Sequence, residues 1–254
     1  MTQPSLVLVH SPLVGPLTWE PVAERLRRAG RVVVVPSLAG VIDGGPPYYR
    51  RLAERVANEV DGARAGSRVM LVGHSGAGAL LPAVAEAIAG RSEAIAGQDG
   101  DGAAPGEDGT GPGTVCGAIL VDAILPHPGQ TWFETAPVSL GEHLVGLARD
   151  GRLPRWSEWF PAEAVSELLP DAGLRERFVA DLPELPLAYL YEIAPQVACW
   201  PPARCAYLRL SEPYDEFADE AGRLGWPVHR ENADHLATLT KPDRMAAILD
   251  QVAG

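Results

Sequence analysis

Residues 71–78 read Leu-Val-Gly-His-Ser-Gly-Ala-Gly, and this short stretch decides the fold. The apolar run at 68–72 predicts a buried strand, and residues 77–89 carry a helical pattern. A serine in so tight a strand-to-helix turn needs very small residues two positions away on either side. Its backbone is forced into a strained conformation while its Oγ points away from the sheet. The glycine and the alanine at those positions meet the requirement, so the turn predicts a nucleophilic Ser75.

A phosphate-binding turn is the alternative for a glycine- and serine-rich segment that follows a strand. Such turns need either the G-x-G-x-x-G spacing or the lysine of a P-loop. The stretch 71–78 has neither. The nucleophile interpretation is therefore the better one.

The rest of the chain alternates between apolar runs and amphipathic segments. The predicted strands are 6–9, 31–35, 68–72, 115–121 and 205–210, and the predicted helices outside the insertion described below are 19–29, 49–60, 77–89 and 242–252. Near-continuous Val, Ile and Leu strands separated by helices are typical of a parallel sheet that is covered on both faces. The fold class is therefore α/β, with a mostly parallel central sheet and helices on both faces.

Two segments interrupt this alternation. Residues 92–114 are rich in Gly, Asp, Ala and Pro and have nothing to bury, so they predict a flexible surface loop. Residues 127–200 contain helical patterns at 139–149 and 161–169, which predict a helical cap inserted into a core made of residues 1–126 and 201–254. The cap is rich in large aromatics, which either line a site beneath it or form its own small core. These aromatics are Trp132, Phe133, Trp156, Trp159, Phe160 and Trp200.

Size and charge limit the classes of function. A chain of 254 residues with 46% hydrophobic content can bury a full core as one large domain. The net charge of −12 repels phosphates, so a nucleic-acid partner is not expected.

The cysteines and the hydropathy pattern predict a location in the cytoplasm. The three cysteines have no C-x-x-C spacing, which predicts neither a disulfide framework nor a zinc site and favours a reducing compartment. The first ten residues show no signal-peptide pattern, and no stretch approaches the roughly 18 apolar residues that span a bilayer. No membrane partner is therefore expected.

Two further segments accompany the Ser75 turn. Residues 6–10 read Leu-Val-Leu-Val-His and precede a glycine-containing loop, and residues 232–236 read Asn-Ala-Asp-His-Leu. With Ser75, these segments resemble the α/β-hydrolase superfamily over nearly all of the chain outside the loop and the cap. The resemblance implies that His235, on a loop between the final strand and the helix at 242–252, is the base that takes the Ser75 proton. The local pattern A-D-H-L-A is similar to the branch that contains plant methyl esterases and hydroxynitrile lyases.

The resemblance leaves two places for the acid that would orient His235. The family usually has it after the penultimate strand, where the loop 211–215 reads Ser-Glu-Pro-Tyr-Asp and offers Glu212 and Asp215. The other place lies one strand earlier, as in pancreatic-type lipases, where Asp122 follows the strand at 115–121. Asp122 is the first candidate and Asp215 the second. A strand-end aspartate that only caps the following turn is the alternative role for Asp122.

The oxyanion hole departs from the family pattern. The resemblance implies one donor in the backbone N–H of Gly76 and a second in the loop after the first strand. That loop reads His10-Ser11-Pro12-Leu13, so the expected donor position falls on a proline, which has no N–H. The second donor is then the amide of Leu13, a shifted loop or the hydroxyl of Ser11, or the hole is incomplete. His10 is expected to anchor the loop.

Three functional hypotheses follow. The first is a serine hydrolase that acts on a small or medium apolar ester, thioester or lactone through an acyl-enzyme on Ser75. The second keeps Ser75 and His235 but gives a non-hydrolytic acyltransferase, lyase or cyclase of specialised metabolism. Pro12 favours it, because losing one oxyanion donor costs a hydrolase about 10²–10³ in kcat. The third is a non-catalytic ligand-binding protein, which the intact serine and histidine disfavour.

The expected partner is a small-molecule substrate or an acyl group carried by a carrier protein. No metal or organic cofactor is expected, since the sequence has neither a ligand cluster nor a dinucleotide fingerprint.

Overall fold

The computed structural model of the chain describes residues 3–63, 68–96 and 114–254. Its strands are β1 Ser5–Val9, β2 Val33–Val34, β3 Arg68–His74, β4 Thr114–Val121, β5 Arg152–Leu153, β6 Leu185–Pro186, β7 Cys205–Arg209 and β8 Val228–Arg230. Its α-helices are α1 Glu20–Arg28, α2 Tyr48–Gly62, α3 Leu81–Ala96, α4 Trp132–Thr135, α5 Val138–Leu147, α6 Ala162–Leu168, α7 Ala172–Ala180, α8 Leu187–Tyr191, α9 Asp215–Arg223, α10 Ala237–Thr240 and α11 Pro242–Ala253.

The central sheet of the described chain has six strands in the order β2-β1-β3-β4-β7-β8, and every neighbouring pair is parallel. Successive side chains of a strand point to opposite faces, and both faces are apolar here. In β1, Leu6 and Leu8 pack into one core cluster, whereas Val7 and Val9 pack into the other. The predicted α/β class with a mostly parallel sheet is therefore confirmed.

Helices cover both faces of the sheet. α1 and α11 pack against each other on the face of Leu6 and Leu8, with Leu26 and Ile248 in that core. α2, α3 and α9 cover the opposite face and contribute Val56 and Val84 among other residues. The carboxyl ends of the parallel strands therefore meet at one open edge, where ligands bind in folds of this type.

The helix after β3 differs from the prediction at both ends. A 3-10 helix, Ser75–Leu80, comes first, and α3 begins only at Leu81, so Pro82 lies in the first turn, where a missing N–H costs nothing. α3 then continues to Ala96, so the predicted loop boundary at residue 92 is wrong, and Thr114 already belongs to β4. Residues 97–113 of that predicted loop lie outside the described residues.

Residues 127–200, which the sequence predicts as a cap and which are called the cap segment from here on, contain α4 to α8 and the antiparallel pair β5–β6. Two carboxylates join it to the core. Glu192 accepts hydrogen bonds from the N–H groups of Tyr48 and Tyr49, at 2.7 and 2.8 Å, and so caps the start of α2. Asp181 accepts from the N–H of Leu17 at 3.3 Å. A Cβ at residue 15 would lie 1.8 Å from Asp181 Oδ2, so Asp181 can take this position only because residue 15 is a glycine.

In the parts of the chain that the structure describes, no helix combines the length and the apolar character needed to cross a membrane.

Candidate active site

Ser75 stands at the carboxyl end of β3, at the strand-to-helix turn. Its φ is +58°, a left-handed conformation that costs a residue with a side chain roughly 1–3 kcal/mol. Small neighbours make the turn possible. A Cβ on Gly73 would approach the Leu81 side chain to 3.0 Å, and one on Gly78 would lie 2.0 Å from the carbonyl oxygen of Ile124. The structure thus has the strained turn that the sequence predicted.

Asp122 and His235 form a hydrogen-bonded pair next to this turn. Asp122 follows β4, and its Oδ2 lies 2.9 Å from Nδ1 of His235, which is on the loop between β8 and α10. The Asp122 side chain is fully buried, and that of His235 is 15% exposed. Because Nδ1 donates its hydrogen to the carboxylate, Nε2 keeps a free lone pair and can accept a proton.

The Asp122 carboxylate receives three further hydrogen bonds. The N–H groups of Leu210 and Ser211 donate to Oδ1 at 2.8 and 3.0 Å, and the Ser211 hydroxyl donates to Oδ2 at 2.5 Å. Burial raises the pKa of the Asp122 carboxyl, but the hydrogen bonds from His235 and from these donors outweigh that effect and hold the pKa below its ordinary value. Asp122 is therefore ionised at neutral pH. Sequence reasoning did not single out Ser211.

The other candidate acids lie elsewhere. Asp215, at the start of α9, pairs with Arg209 and Arg230, each at 2.7 Å, and the side chain of Glu212 is exposed. The described contacts place neither carboxylate against His235. Asp122 is therefore the acid that the structure brings to this histidine.

Aromatic rings surround the His235 imidazole. Its ring centroid lies 4.5 Å from that of His74, 4.8 Å from that of Tyr214 and 6.4 Å from that of Trp156 in the cap segment. The Tyr214 ring is parallel to the imidazole, with an interplanar angle of 4°. Tyr214 also reaches the serine, because its hydroxyl oxygen lies 3.5 Å from Ser75 Oγ. Sequence reasoning did not single out Tyr214.

His74 is a buried neutral support for His235. Burial, together with the charge that His235 can carry, lowers the pKa of His74 to about 3. Its Nε2 donates to the backbone carbonyl of His235 at 2.9 Å, which fixes the loop that carries the imidazole. A neutral ring in this position adds no positive charge next to His235.

The loop after β1 turns sharply beside the serine. The N–H of Val14 donates to the carbonyl of Ser11 at 3.1 Å, which closes a β-turn with Pro12 at its second position. The N–H of Leu13, the predicted second oxyanion donor, is directed to Ser11 Oγ at 3.2 Å. A Cβ on Gly76 would lie 2.8 Å from that same Oγ. The buried Ser11 hydroxyl, and not a free Leu13 amide, thus lies against Gly76.

His10 connects this loop to the next one. Its Nδ1 donates to the carbonyl of Ser11 at 2.8 Å, and its Nε2 accepts from the N–H of Leu38 at 3.1 Å. Burial lowers the pKa of His10 to about 4, so the ring stays neutral and keeps both bonds at neutral pH. In the structure His10 anchors the loop.

The described residues contain no group of three or more His, Cys, Asp or Glu side chains that could hold a metal ion.

Sequence comparison supplies the family. A model of the alpha/beta hydrolase family matches residues 6–248. The chain belongs to the alpha/beta hydrolase family. The superfamily resemblance carried by the segments around Ser75 and His235 is thereby confirmed. No curated protein sequence matches the chain.

Solved structures share the fold over the full length. An extracellular alpha/beta-hydrolase from a Paenibacillus species has a TM-score of 0.72 at 17% identity, over 98% of each chain. A pyrethroid hydrolase from Sphingobium faniae has a TM-score of 0.67 at 20% identity, over 99% of this chain and 98% of its own. Tomato methylketone synthase I, complexed with 2-tridecanone, also reaches 0.67 at 16% identity, over 100% and 98%. At these identities the likeness shows the fold.

Proposed function

We propose that the protein is a serine hydrolase that acts on a small or medium apolar ester, thioester or lactone, with Ser75 as nucleophile, His235 as base and Asp122 as acid. The observation that carries the proposal is the buried 2.9 Å bond between Asp122 and His235, beside a serine held at φ +58°. Apolar side chains next to these groups support an apolar substrate. The Trp156 ring centroid lies 6.4 Å from that of the His235 imidazole.

The proposed reaction uses these groups in sequence. Ser75 passes its proton to Nε2 of His235 as its Oγ bonds to the substrate carbonyl carbon, and the carbonyl electron pair moves to oxygen. Asp122 holds the imidazole in the Nδ1–H form and stabilises the imidazolium. The imidazolium then gives its proton to the leaving alcohol or thiol, and the acyl group stays on Ser75. Water, activated by the same histidine, releases the acid.

The test is covalent labelling with a fluorophosphonate, which reacts with activated serines. We expect one adduct on the folded protein by intact-mass spectrometry, located on Ser75 by peptide mapping and absent in Ser75→Ala. His235→Ala is expected to lose the reaction, because the serine then has no base. His229→Ala is the matched control, since that imidazole lies on the edge strand β8 with its Nε2 3.6 Å from Glu231. No adduct on folded wild type, or equal labelling of His235→Ala, would contradict the proposal.

The proposed oxyanion hole combines the Gly76 N–H with the Ser11 hydroxyl. Gly76 follows Ser75 at the start of a 3-10 helix, where an N–H has no acceptor within the helix. Ser11 Oγ accepts from Leu13, which leaves its own hydrogen free to donate. Both donors would then face the oxygen that gains charge in the transition state.

Ser11→Ala distinguishes this hole from one that uses Leu13. We expect kcat to fall by about 10²-fold, the usual effect of removing one oxyanion donor, while Ser11→Thr retains most of the activity. Ser166→Ala, on the surface of the cap segment, is the control and should leave kcat unchanged. If Leu13 is the true donor, Ser11→Ala frees its N–H, and an unchanged or raised kcat would contradict the Ser11 assignment.

A non-hydrolytic acyltransferase, lyase or cyclase is the second candidate. The observation that favours it is the missing amide of Pro12, together with the engaged amide of Leu13, which leaves Gly76 as the backbone donor. Turnover of p-nitrophenyl butyrate with and without added acceptor alcohols separates the two functions. Hydrolysis at about 10 s⁻¹ or more, an ordinary enzymatic rate, favours the hydrolase. Ester products that form faster than the acid favour a transferase.

The proposed substrate is a free small molecule or an acyl group on a carrier protein. The cytoplasmic location stays a prediction from the cysteine pattern, since one protein of the same fold is described as extracellular.

A further inference from the structure

The loop after β7 contributes to the candidate site in a way that the family resemblance did not imply. The resemblance left this loop and the end of β4 as the two places for the acid, and in the structure the carboxylate next to His235 is that of Asp122, after β4. The loop instead supplies two neutral groups to the site. The hydroxyl of Ser211 holds Asp122, and the side chain of Tyr214 reaches both Ser75 and His235. The proposed reaction assigns no role to Tyr214.

Tyr214 is held in place by the residues that hold the acid. Its N–H donates to the carbonyl of Ser211 at 3.1 Å, and the Ser211 side chain donates to Asp122. The Phe217 ring packs against the phenol at 5.8 Å. One short turn therefore fixes the acid, the phenol hydroxyl and the face of the imidazole relative to one another.

We propose that Tyr214 is a fourth catalytic group, whose phenol donates a hydrogen bond to Ser75 Oγ while its ring supports the His235 imidazole. The inference rests on the proposed serine nucleophile. It adds a residue that touches a reacting atom, since the two oxygens lie 3.5 Å apart.

The chemistry of the two hydroxyls sets the direction of this bond. A phenol is a stronger acid than an aliphatic alcohol, so it is the better donor, and the serine oxygen is the better acceptor. Burial raises the pKa of Tyr214, although the hydrogen bond with Ser75 opposes that shift, so the phenol stays protonated at neutral pH. With Tyr214 as donor, the serine hydrogen stays available for the proposed transfer to Nε2 of His235, although the described contacts include no direct hydrogen bond between Ser75 and His235. The reverse direction would hold the serine proton away from its base.

The bond strengthens as the reaction begins. Ser75 loses its proton to His235 while Oγ bonds to the carbonyl carbon, so negative charge passes through Oγ on its way to the carbonyl oxygen. Hydrogen bonds to an ionised acceptor are about twice as strong as those between neutral groups. Tyr214 keeps its own proton throughout, so the proton count of the reaction is unchanged. Its ring face also stabilises the imidazolium that forms above it.

Tyr214→Phe separates the hydroxyl from the ring. The variant keeps the stack on His235 and removes one oxygen, so we expect the folded protein to label Ser75 with fluorophosphonate about 10- to 100-fold more slowly, the effect of losing a hydrogen bond to a charged acceptor. Ester kcat should fall by a similar factor. Tyr214→Leu, which also removes the stack, should lose more. The matched control is Tyr191→Phe, since Tyr191 lies at the surface of the cap segment with 53% exposure, and it should label at the wild-type rate.

Every other result of this labelling experiment contradicts a specific claim. If Tyr214→Phe labels at the wild-type rate, the ring is only packing and the inference is overturned. If it labels faster, the phenol withholds the serine proton, which also overturns it. A wild-type protein that takes no label contradicts the serine nucleophile itself, and with it the role of Tyr214. Because wild type is the reference in every arm, that outcome is distinguished from a failure of Tyr214 alone.

Discussion

Asp122→Asn is expected to lower kcat by about 10⁴-fold without unfolding the protein. An asparagine amide carries no charge to stabilise the imidazolium, and its NH₂ can turn toward Nδ1 and select the wrong tautomer of His235. The fold should survive, because asparagine tolerates the positive φ of +42° at this position and its oxygen can still accept from Leu210. The measurement is hydrolysis of the p-nitrophenyl ester that wild type turns over fastest, together with thermal unfolding.

Asp215→Asn is the matched control for that experiment. Its carboxylate pairs with Arg209 and Arg230 near the surface, so its loss should change turnover by far less. If Asp215→Asn were the damaging change, the acid would belong to the loop after β7. If both variants kept near-normal turnover, a two-residue Ser75–His235 mechanism would replace the triad.

Ser75→Ala and His235→Ala are each expected to lower kcat by about 10⁶-fold, and the double variant by no more than either alone. A nucleophile and its base act as one unit, so removing either stops the same step. The residual rate comes from binding and the oxyanion donors. Single-variant and double-variant kcat values on one ester give the result.

The pattern of these losses also tests the second candidate function. In a lyase or cyclase where His235 works on the substrate directly, Ser75→Ala would retain much of the activity. Losses that multiply in the double variant would likewise contradict the shared step. His229→Ala should behave as wild type, because its side chain lies toward Glu231.

The sequence predicted most of the core, since long apolar strands keep their pattern whatever surrounds them. Five strands and the helices at both ends of the chain lie where periodicity placed them, within one or two residues apart from a shorter β2. The resemblance implied a final strand before His235, but periodicity gave no range for β8, because its residues are Val-His-Arg at the sheet edge and have no apolar run. The two-residue strands β5 and β6 are too short to give any pattern.

The site was predictable only where a local motif defines it. Ser75 and His235 lie in segments whose residue order alone suggested a role. The choice between Asp122 and Asp215 depends on which of their two loops lies next to the His235 imidazole. The order of the strands in the sheet decides this, and no local sequence pattern gives that order. Ser211 and Tyr214 were missed for the same reason, because each contacts a residue far away in the chain, Asp122 and Ser75 respectively. Of the predicted aromatic residues of the cap segment, Trp156 has ring contacts in both directions, with Phe178 and with His235.

The capping of α2 by Glu192 bears on how this architecture can be recombined. The first two N–H groups of that helix donate to the Glu192 carboxylate, which lies more than 140 positions later in the chain, in the cap segment. A different segment grafted in place of residues 127–200 would have to bring a carboxylate to the same point, or leave the start of α2 without its acceptor. Any exchange of residues 127–200, in evolution or by design, must therefore keep a carboxylate at the position of Glu192 together with the beginning of α2.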